Sequence, residues 1–326
     1  MTTERVKVLY IGGYGRSGST LLVRLLGQLP KFHAVGEMWN IWQKCFTENE
    51  LCGCGKPFKE CEFWGAVVEE AFGGFDRVDL EEIQAIRRLL QSHTYLPLLA
   101  YPQLRTAEQR KHIETYQAVL KQLYSAIHHV SGCRVIIDSS KGPRYAMLLN
   151  EIPEIDLRVI HLARDSRAVV YSWQKKMVKP EVYWKTEYMD RPNPVSAALN
   201  WNITNMLTQS FGKSSAKYRF VRYEDLIESP QARLAEIAQF AAGEDGEEAY
   251  TLEYDGAVNL SVDHTAVGNP NRFRKGPIEL QRDDEWRYKM PKMQKYLVTS
   301  LTLPLLQKYG YLDEQMKSSR DSLVSA

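Results

Sequence analysis

Short apolar runs alternate along this chain with longer stretches in which apolar residues recur every three or four positions. Five runs have the length and composition of buried parallel strands: 8–11, 33–35, 134–138, 157–162 and 218–221. Helical spacing is found at 21–29, 78–93, 106–130, 193–206, 230–240 and 293–309. The alternation predicts an α/β protein of three layers, in which helices flank a mostly parallel central sheet. We expect a single domain over residues 1–326, since no repeat or low-complexity segment divides the chain.

Composition and charge narrow the classes of function. The 326 residues are 44% hydrophobic and 25% charged, as in ordinary globular proteins, and the formal net charge is +2. A balance this close to neutral gives no reason to expect a nucleic-acid partner. No stretch is long and apolar enough to span a bilayer, and the start of the chain does not resemble a signal peptide. We therefore expect a cytoplasmic protein whose positive field is local.

A glycine-rich turn joins the first predicted strand to the first predicted helix. Its glycines and hydroxyl residues are Gly12, Gly13, Gly15, Ser17, Gly18, Ser19 and Thr20. Backbone N–H groups in such a turn form an anion site together with the positive end of the following helix. Residues 13–20 nearly fit the triphosphate-binding pattern G-x-x-x-x-G-K-[ST], but Ser19 replaces the lysine and Arg16 lies inside the loop. We therefore expect a phosphate ligand other than a magnesium-bound triphosphate.

The loop sequence Arg16-Ser17-Gly18-Ser19-Thr20 resembles a known family motif. It is similar to the 5′-phosphosulfate-binding loop, [KR]-S-G-[ST]-[ST], of sulfotransferases that use 3′-phosphoadenosine-5′-phosphosulfate (PAPS). The resemblance implies a fold like that of P-loop NTPases, PAPS as cofactor and no metal in the reaction. It assigns contacts with the 5′ end of PAPS to Gly15, Arg16, Ser17, Gly18, Ser19 and Thr20. Arg16 would also stabilise charge on the leaving oxygen.

A second resemblance to the same family follows the run at 157–162. Residues 164–172 match R-D-x-R-x-x-x-x-S, in which Arg164 precedes Ser172 by eight positions. In the family this motif binds the 3′-phosphate. An arginine at a strand end offers a bidentate fork to a phosphate, and the serine adds a hydroxyl two helical turns later. A basic helix start without a ligand is the alternative, and two phosphate motifs at matching strand ends argue against it.

Two further segments are expected to border the cleft. Residues 255–290 contain Arg274-Lys275-Gly276, which resembles the family segment that closes over the nucleotide and contacts its 3′-phosphate. A solvated basic surface loop is the alternative for this stretch. Residues 62–131 are mainly helical and are predicted to be an insertion that covers the cleft.

Three residues besides Arg16 are candidates for the chemistry. Glu37 follows the run at 33–35, and ligands of open parallel sheets bind at strand ends. Its placement resembles that of the glutamate base of tyrosylprotein and carbohydrate sulfotransferases, whereas a carboxylate that only complements a helix dipole is the alternative. Lys141 matches the family position that faces the sulfonate or the acceptor. His264 precedes the closing loop and is the second candidate for the base.

The five cysteines raise the question of a metal site. Cys45, Cys52, Cys54 and Cys61 lie in one short stretch, and Cys133 lies apart from them. Cys52-x-Cys54 lacks the C-x2-C spacing of zinc ribbons. We therefore expect a turn-rich loop whose thiols are reduced or opportunistically paired, and no metal.

Taken together, the motifs predict a PAPS-dependent sulfotransferase that acts on a hydroxyl of a small molecule, glycan or lipid. Five aromatic residues are candidates either for its cleft or for the core: Trp39, Trp42, Trp173, Tyr183 and Trp184. An ATP-dependent kinase of small molecules or nucleotides is the first alternative, because an apolar run ending in Asp138 resembles a magnesium-binding strand. A nucleotide-binding module without activity is the second, and it would not need Glu37.

Overall fold

Five parallel strands form the central sheet. They are β1 (Val6–Gly12), β2 (Phe32–Gly36), β3 (Val135–Lys141), β4 (Ile155–Ala163) and β5 (Lys217–Arg222). The computed structural model describes residues 5–215, 217–243 and 256–312, and the order of the strands within the sheet is β2-β3-β1-β4-β5. Each strand coincides with one of the predicted apolar runs, so the predicted parallel sheet is confirmed.

Both faces of the sheet are buried, as the central strand β1 shows. The side chains of Val8 and Tyr10 belong to one core cluster, and those of Leu9 and Ile11 belong to another. Successive residues of a strand point to opposite faces, so the two clusters lie on opposite sides of the sheet. A strand covered on both sides reads as a continuous apolar run. The three-layer α/β architecture is therefore confirmed.

Helices connect the strands and cover both faces of the sheet. They are α1 (Ser19–Leu26), α2 (Glu62–Phe72), α3 (Leu80–Gln91), α4 (Tyr95–Ala100), α5 (Ala107–Ser131), α6 (Pro143–Asn150), α7 (Ser166–Gln174), α8 (Pro194–Ser215), α9 (Tyr223–Glu228), α10 (Pro230–Ala242), α11 (Glu285–Lys289) and α12 (Lys292–Lys308). Every predicted helix has a counterpart among them. Of the helices in the described ranges, none has the length and apolar character that crossing a bilayer requires.

The helical block between 62 and 131 packs on one face of the sheet. Side chains from α2, α3, α4 and α5 belong to the same core cluster as Val8 and Tyr10. None of its residues lines the large cavity of the molecule. The block therefore uses its apolar faces against the sheet, and that it covers the cleft stays a prediction.

The polar segment 255–290 contains regular structure that the sequence pattern does not predict. β6 (Ala257–Leu260) and β7 (Gly276–Glu279) pair as a two-stranded antiparallel sheet. Four residues are too few for a period of two to be recognised against the polar background. Residues 244–255, the last of which is the first residue of this segment, lie outside the described residues.

Residues 263–268, here called the strap, pass along the free edge of β2. The N–H of Glu37 donates to the carbonyl oxygen of Val267 at 2.9 Å. Gly36 has a φ of 86°, and a Cβ at this position would lie 2.3 Å from the Val267 oxygen. Glycine is therefore required here, and the strap adjoins the carboxyl end of β2.

Candidate active site

The loop between β1 and α1 has the geometry of an anion-binding site. Gly18 caps α1 with a φ of 90°, and no side chain caps the helix start, so first-turn N–H groups remain for a ligand. A Cβ at Gly13 would lie 2.3 Å from the carbonyl oxygen of Leu162, and a Cβ at Gly18 would lie 2.4 Å from the Tyr223 ring. The tight path of the loop therefore requires both glycines.

A cavity of about 690 Å³ is lined by the last residue of β3 and by residues that follow β1, β2 and β4. Ligands of open parallel sheets bind at this position, outside the carboxyl ends of the strands. The predicted residues that line the cavity are Gly15, Arg16, Gly18, Ser19, Thr20, Glu37, Lys141, Arg164, Ser172 and Arg274. Four other predicted residues do not line it: Ser17, His264, Lys275 and Gly276. Ser17 is buried inside the loop, and its hydroxyl has no hydrogen-bond partner among the described residues.

Glu37 and Lys141 form an ion pair inside the cavity. Lys141 Nζ donates to Glu37 Oε1, and the side chains of Lys141 and Glu37 are 18% and 19% exposed. Lys141 has a φ of 67° and Arg16 a φ of 68°, and these are two of the four non-glycine residues with positive φ in the described ranges. Backbone of this kind is costly and collects at functional sites. The turn at the end of β3 directs Lys141 toward the end of β2.

The Arg16 guanidinium lies half-buried in the wall of the cavity. Its N–H groups contact the sulfur atoms of Met177 at 3.3 Å and Met189 at 3.0 Å, and its carbon lies 4.9 Å from the Trp173 ring centroid. Burial lowers the pKa of Arg16 from its ordinary value, and the charge of Glu37 partly offsets this effect. Arg16 forms no ion pair with any described residue, so an anionic ligand would compensate its charge.

Arg164 and Ser172 line the cavity on the side of β4 and α7. Arg164 Nη2 donates to the main-chain oxygen of Asp283 at 2.9 Å and lies 3.2 Å from its carboxylate. Nη1 donates to the carbonyl oxygen of Arg16 at 3.4 Å, and the guanidinium stacks over the Tyr223 ring at 4.6 Å. These contacts orient Arg164, and the Asp283 carboxylate shows that the position accepts an anionic oxygen.

Arg24, which the sequence pattern does not identify, holds the segment 261–274 against α1. It is buried, and it donates to the carbonyl oxygens of Ser261, at 2.6 Å, and Arg274 while pairing with Asp263 Oδ2 at 3.0 Å. Arg274 lines the cavity next to this anchor and Lys275 does not, although both residues are exposed. The only local signal for Arg24 is a basic residue in an apolar helix.

Charged side chains form a part of the cavity wall that sequence reasoning also misses. They are Lys44, Glu50, Lys179 and Glu181. Lys44 Nζ lies 3.1 Å from Glu50 Oε1. Burial raises the pKa of the Glu50 and Glu181 carboxyl groups above their ordinary value. This part of the cavity suits a polar ligand.

The aromatic candidates divide between the cavity and other places. Trp173 lines the cavity, and none of the other four does. Trp42 is fully buried in the core, and Trp39 packs against that core. Tyr183 and Trp184 are 53% and 48% exposed. Of the two roles left open for these residues, Trp173 therefore has a place at the cavity, and Trp42 and Trp39 have places in or against the core.

Asp138 lies inside β3 and does not line the cavity. Tyr124 donates its hydroxyl to Asp138 Oδ2, and the Ser140 N–H donates to Oδ1 at 2.7 Å. Burial raises the pKa of Asp138 to about 6. A buried carboxyl group with these partners is not placed to hold a magnesium ion for a nucleotide in the cavity.

His264 lies on the strap, but its side chain is directed toward the segment that contains Cys52, Cys54 and Cys61, here called the cysteine loop. Its Nδ1 is 3.3 Å from Cys61 Sγ, and its ring stacks on Phe63 with centroids 5.2 Å apart. The strap places Val267 and Gly268 at the cavity instead. His264 is the second candidate for the base, but its side chain does not line the cavity in which a base would act.

The fold and the loop define an α/β protein of the P-loop-like class, with an anion site at the end of β1. The sulfotransferase domain family matches residues 7–265 of the chain. The chain therefore belongs to the sulfotransferase family, and the fold class inferred from the motifs is confirmed.

Individual relatives are distant. Carbohydrate sulfotransferase 1 of Rattus norvegicus is 23% identical over 197 residues, which cover 54% of this chain and 45% of the relative, and its Mus musculus counterpart gives the same values. The chain thus matches less than half the length of these curated relatives. Among solved structures, the sulfotransferase domain from the curacin biosynthetic pathway is 16% identical and covers 92% of this chain and 99% of its own, with a TM-score of 0.45. The sulfotransferase domain from the Synechococcus PCC 7002 olefin synthase is 21% identical and covers 94% and 96%, with a TM-score of 0.43.

Proposed function

We propose that this chain transfers a sulfuryl group from PAPS to a hydroxyl of an acceptor. The observation that carries the proposal is the convergence of Arg16, Glu37, Lys141 and Arg164 on one cavity. Two cations beside the loop and the end of β4 suit the two phosphate ends of the donor. The Glu37–Lys141 ion pair and the polar part of the cavity wall suit the transfer itself.

The residues of the cavity fit PAPS. The uncapped N–H groups at the start of α1, with Arg16, Ser19 and Thr20, would hold the 5′-phosphosulfate. Arg164, Ser172 and Arg274 would hold the 3′-phosphate. The half-buried Arg16 without a carboxylate partner among the described residues supports the first assignment. The Asp283 carboxylate against Arg164 supports the second.

When bound, PAPS supplies an activated sulfuryl group whose transfer needs in-line placement and stabilised charge. In this proposal Glu37 accepts the proton of the acceptor hydroxyl. Lys141 orients the Glu37 carboxylate, and its other N–H groups can donate to sulfuryl oxygens. Arg16 stabilises the charge that develops on the phosphate side. Because a sulfuryl group carries less charge than a γ-phosphate, we expect no metal to be needed.

We assign the role of base to Glu37 rather than to His264. Glu37 lines the cavity and contacts Lys141 there, whereas His264 does not line it. A general base must come within hydrogen-bond distance of the proton that it removes. The lining of the cavity supports Glu37 on this criterion.

The acceptor in this proposal is a hydroxyl compound, either a small molecule, a glycan or a lipid, and the wall favours a polar one. Lys44, Glu50, Lys179 and Glu181 offer ionic and hydrogen-bonding groups for several hydroxyls. A glycan acceptor would also agree with the name of the relatives, carbohydrate sulfotransferase 1. A cytoplasmic location and one domain over the whole chain are further parts of the proposal.

A kinase and a nucleotide-binding module without activity have less support. The kinase would need a magnesium ligand and a loop lysine, but Asp138 lies outside the cavity lining and Ser19 occupies the lysine position. A module without activity leaves the Glu37–Lys141 pair and the strained backbone of Lys141 without a role.

The proposal is tested by incubating the chain with PAPS and a panel of glycans, phenols and aliphatic alcohols. Mass spectrometry should show an acceptor that gains one sulfo group and a matching release of adenosine 3′,5′-bisphosphate. Parallel samples with Mg-ATP should give no phosphorylated product. Phosphorylation without sulfation would contradict the proposal.

A further inference from the structure

Three cysteines and one histidine form a compact cluster outside the cavity. They are Cys52, Cys54, Cys61 and His264, and their ligand atoms all lie within 4.8 Å of one another. Cys54 Sγ and Cys61 Sγ are 3.8 Å apart, and His264 Nδ1 is 3.3 Å from Cys61 Sγ and 3.9 Å from Cys52 Sγ. Four soft or borderline donors therefore converge on one point between the cysteine loop and the strap.

These separations match the edges of a tetrahedral zinc site. With Zn–S of about 2.3 Å and Zn–N of about 2.0–2.1 Å, tetrahedral angles place two sulfurs about 3.8 Å apart and a sulfur about 3.6 Å from a nitrogen. The sulfurs are too far apart for a disulfide, and all four thiol or imidazole groups are buried or half-buried. Three thiolates and one imidazole form one of the ligand sets that close a structural zinc site.

We propose that Cys52, Cys54, Cys61 and His264 bind one zinc ion, which fixes the strap beside the active site. The thiols lose their protons as the metal binds. All four positions are then protein ligands, which leaves none open for water or substrate, so the ion is structural. This site does not depend on the proposed sulfuryl transfer, and it departs from the expectation that the cysteine loop holds no metal.

The surroundings of the cluster already join the loop to the strap. The Gly53 N–H donates to the Thr265 oxygen at 2.9 Å, and Trp64 Nε1 donates to the His264 oxygen at 2.7 Å. A Cβ at Gly53 would lie 2.4 Å from an Asp263 carboxylate oxygen, so glycine is needed for this close approach. The same strap accepts the Glu37 N–H further along. A metal at the cluster would therefore hold in place the segment that borders Glu37.

The spacing of residues in the sequence does not reveal the site, because the fourth ligand lies far along the chain from the three cysteines. His264 lies 203 residues after Cys61, and the cysteine spacing alone does not fit a zinc ribbon. Only the path of the strap along β2 brings the imidazole to the thiols.

The test uses the full chain, purified under reducing conditions, stripped of metal by a chelator and titrated with Zn²⁺ or Co²⁺. We expect about one ion bound per chain, and a cobalt spectrum with thiolate charge-transfer bands and the intense visible bands of tetrahedral coordination. Cys61→Ser and His264→Ala should weaken binding by more than about tenfold. Cys133→Ser, a buried cysteine outside the cluster, should leave binding unchanged.

A second readout requires no variant to fold. Hydrogen exchange of the Gly53 and Glu37 amides should be faster in the metal-free chain than in the zinc-loaded chain, because both bond to the strap. Any of three results would overturn the proposal. They are a reduced wild-type chain that binds neither metal, a cobalt spectrum without thiolate bands, and a Cys54–Cys61 disulfide formed in the presence of zinc.

Discussion

Lys141 Nζ donates to Glu37 Oε1 across the carboxyl ends of the neighbouring strands β3 and β2. The contact depends on two backbone features, the positive φ of Lys141 and the close approach of the strap at Gly36. It places a carboxylate and an ammonium group within one cavity, near the loop that follows β1. This pair is the centre of the proposed chemistry.

Replacing Glu37 by glutamine should remove the base and keep the shape of the side chain. We expect Glu37→Gln to lower kcat roughly 10²–10⁴-fold, while the affinity for adenosine 3′,5′-bisphosphate changes little. Steady-state kinetics and calorimetry measure the two quantities. Glu154→Gln, at a surface glutamate paired with Lys121, is the matched control and should behave as wild type. A Glu37→Gln enzyme within a few-fold of wild-type kcat would exclude this carboxylate as the base.

Arg164 should carry the recognition of the 3′-phosphate. Loss of its charge-assisted bonds should weaken binding of adenosine 3′,5′-bisphosphate by about 1.5–3 kcal/mol in Arg164→Ala, and Ser172→Ala should cost less. Arg233→Ala, at a surface arginine that pairs with Glu236, serves as the control. Unchanged calorimetric affinity in Arg164→Ala would remove the assignment.

The loop glycine Gly18 should tolerate no side chain. In Gly18→Ala the new methyl group would collide with Tyr223 at a backbone φ of 90°, so we expect a stability loss of roughly 1–3 kcal/mol and weaker binding of adenosine 3′,5′-bisphosphate. Gly65→Ala is the matched control, because this position lies in α2 and a Cβ there meets nothing within 4 Å. Alanine at position 65 should be neutral or should stabilise by up to about 1 kcal/mol. Urea unfolding compares the two, and equal stabilities would count against the tight loop path.

Glu224 should make the stability of the fold depend on pH. Burial, with the charge of Asp165, raises the pKa of Glu224 to about 7. A carboxyl group whose folded pKa is raised contributes stability that is complete below the unfolded pKa and is lost as the pH rises through the folded pKa. The wild type should therefore lose on the order of 3 kcal/mol relative to Glu224→Gln between about pH 4.5 and pH 7.5.

Urea unfolding at several pH values measures this difference for Glu224. Glu228→Gln, at an exposed position of the same helix α9, is the control and should show no such trend. A free-energy difference between wild type and Glu224→Gln that stays constant across this pH window would refute the buried, protonated state of Glu224.

Much of the fold and of the candidate site could be predicted because the information is local. β1, the loop and α1 are contiguous, so apolar run, glycines and helical spacing appear together in residues 6–26. Arg164 and Ser172 are likewise defined by one strand end and one helix. Parallel strands buried on both faces are continuous apolar runs, which are the strongest patterns in the chain.

The remainder depends on contacts between distant segments, which periodicity does not encode. Arg24 meets Asp263 across 239 positions, and His264 meets the cysteine loop across a similar separation. Trp42 is an aromatic residue of the kind found at binding surfaces. It is nevertheless buried in the core, where it packs in one cluster with residues of the helical block. β6 and β7 are too short to give a detectable period. In each case tertiary packing, not local preference, determines the position.

Calorimetry with adenosine 3′,5′-bisphosphate and adenosine 5′-monophosphate tests the central claim most directly, because the two ligands differ only in the 3′-phosphate. If one cavity binds both ends of PAPS, the bisphosphate should bind one to one and at least about tenfold more tightly, in line with one charge-assisted contact of about 1.5–3 kcal/mol. Arg164→Ala should reduce that difference by most of its size, since Ser172 and Arg274 remain, and magnesium should not be needed. Equal affinities of the two nucleotides, or binding of Mg-ATP alone, would contradict the account.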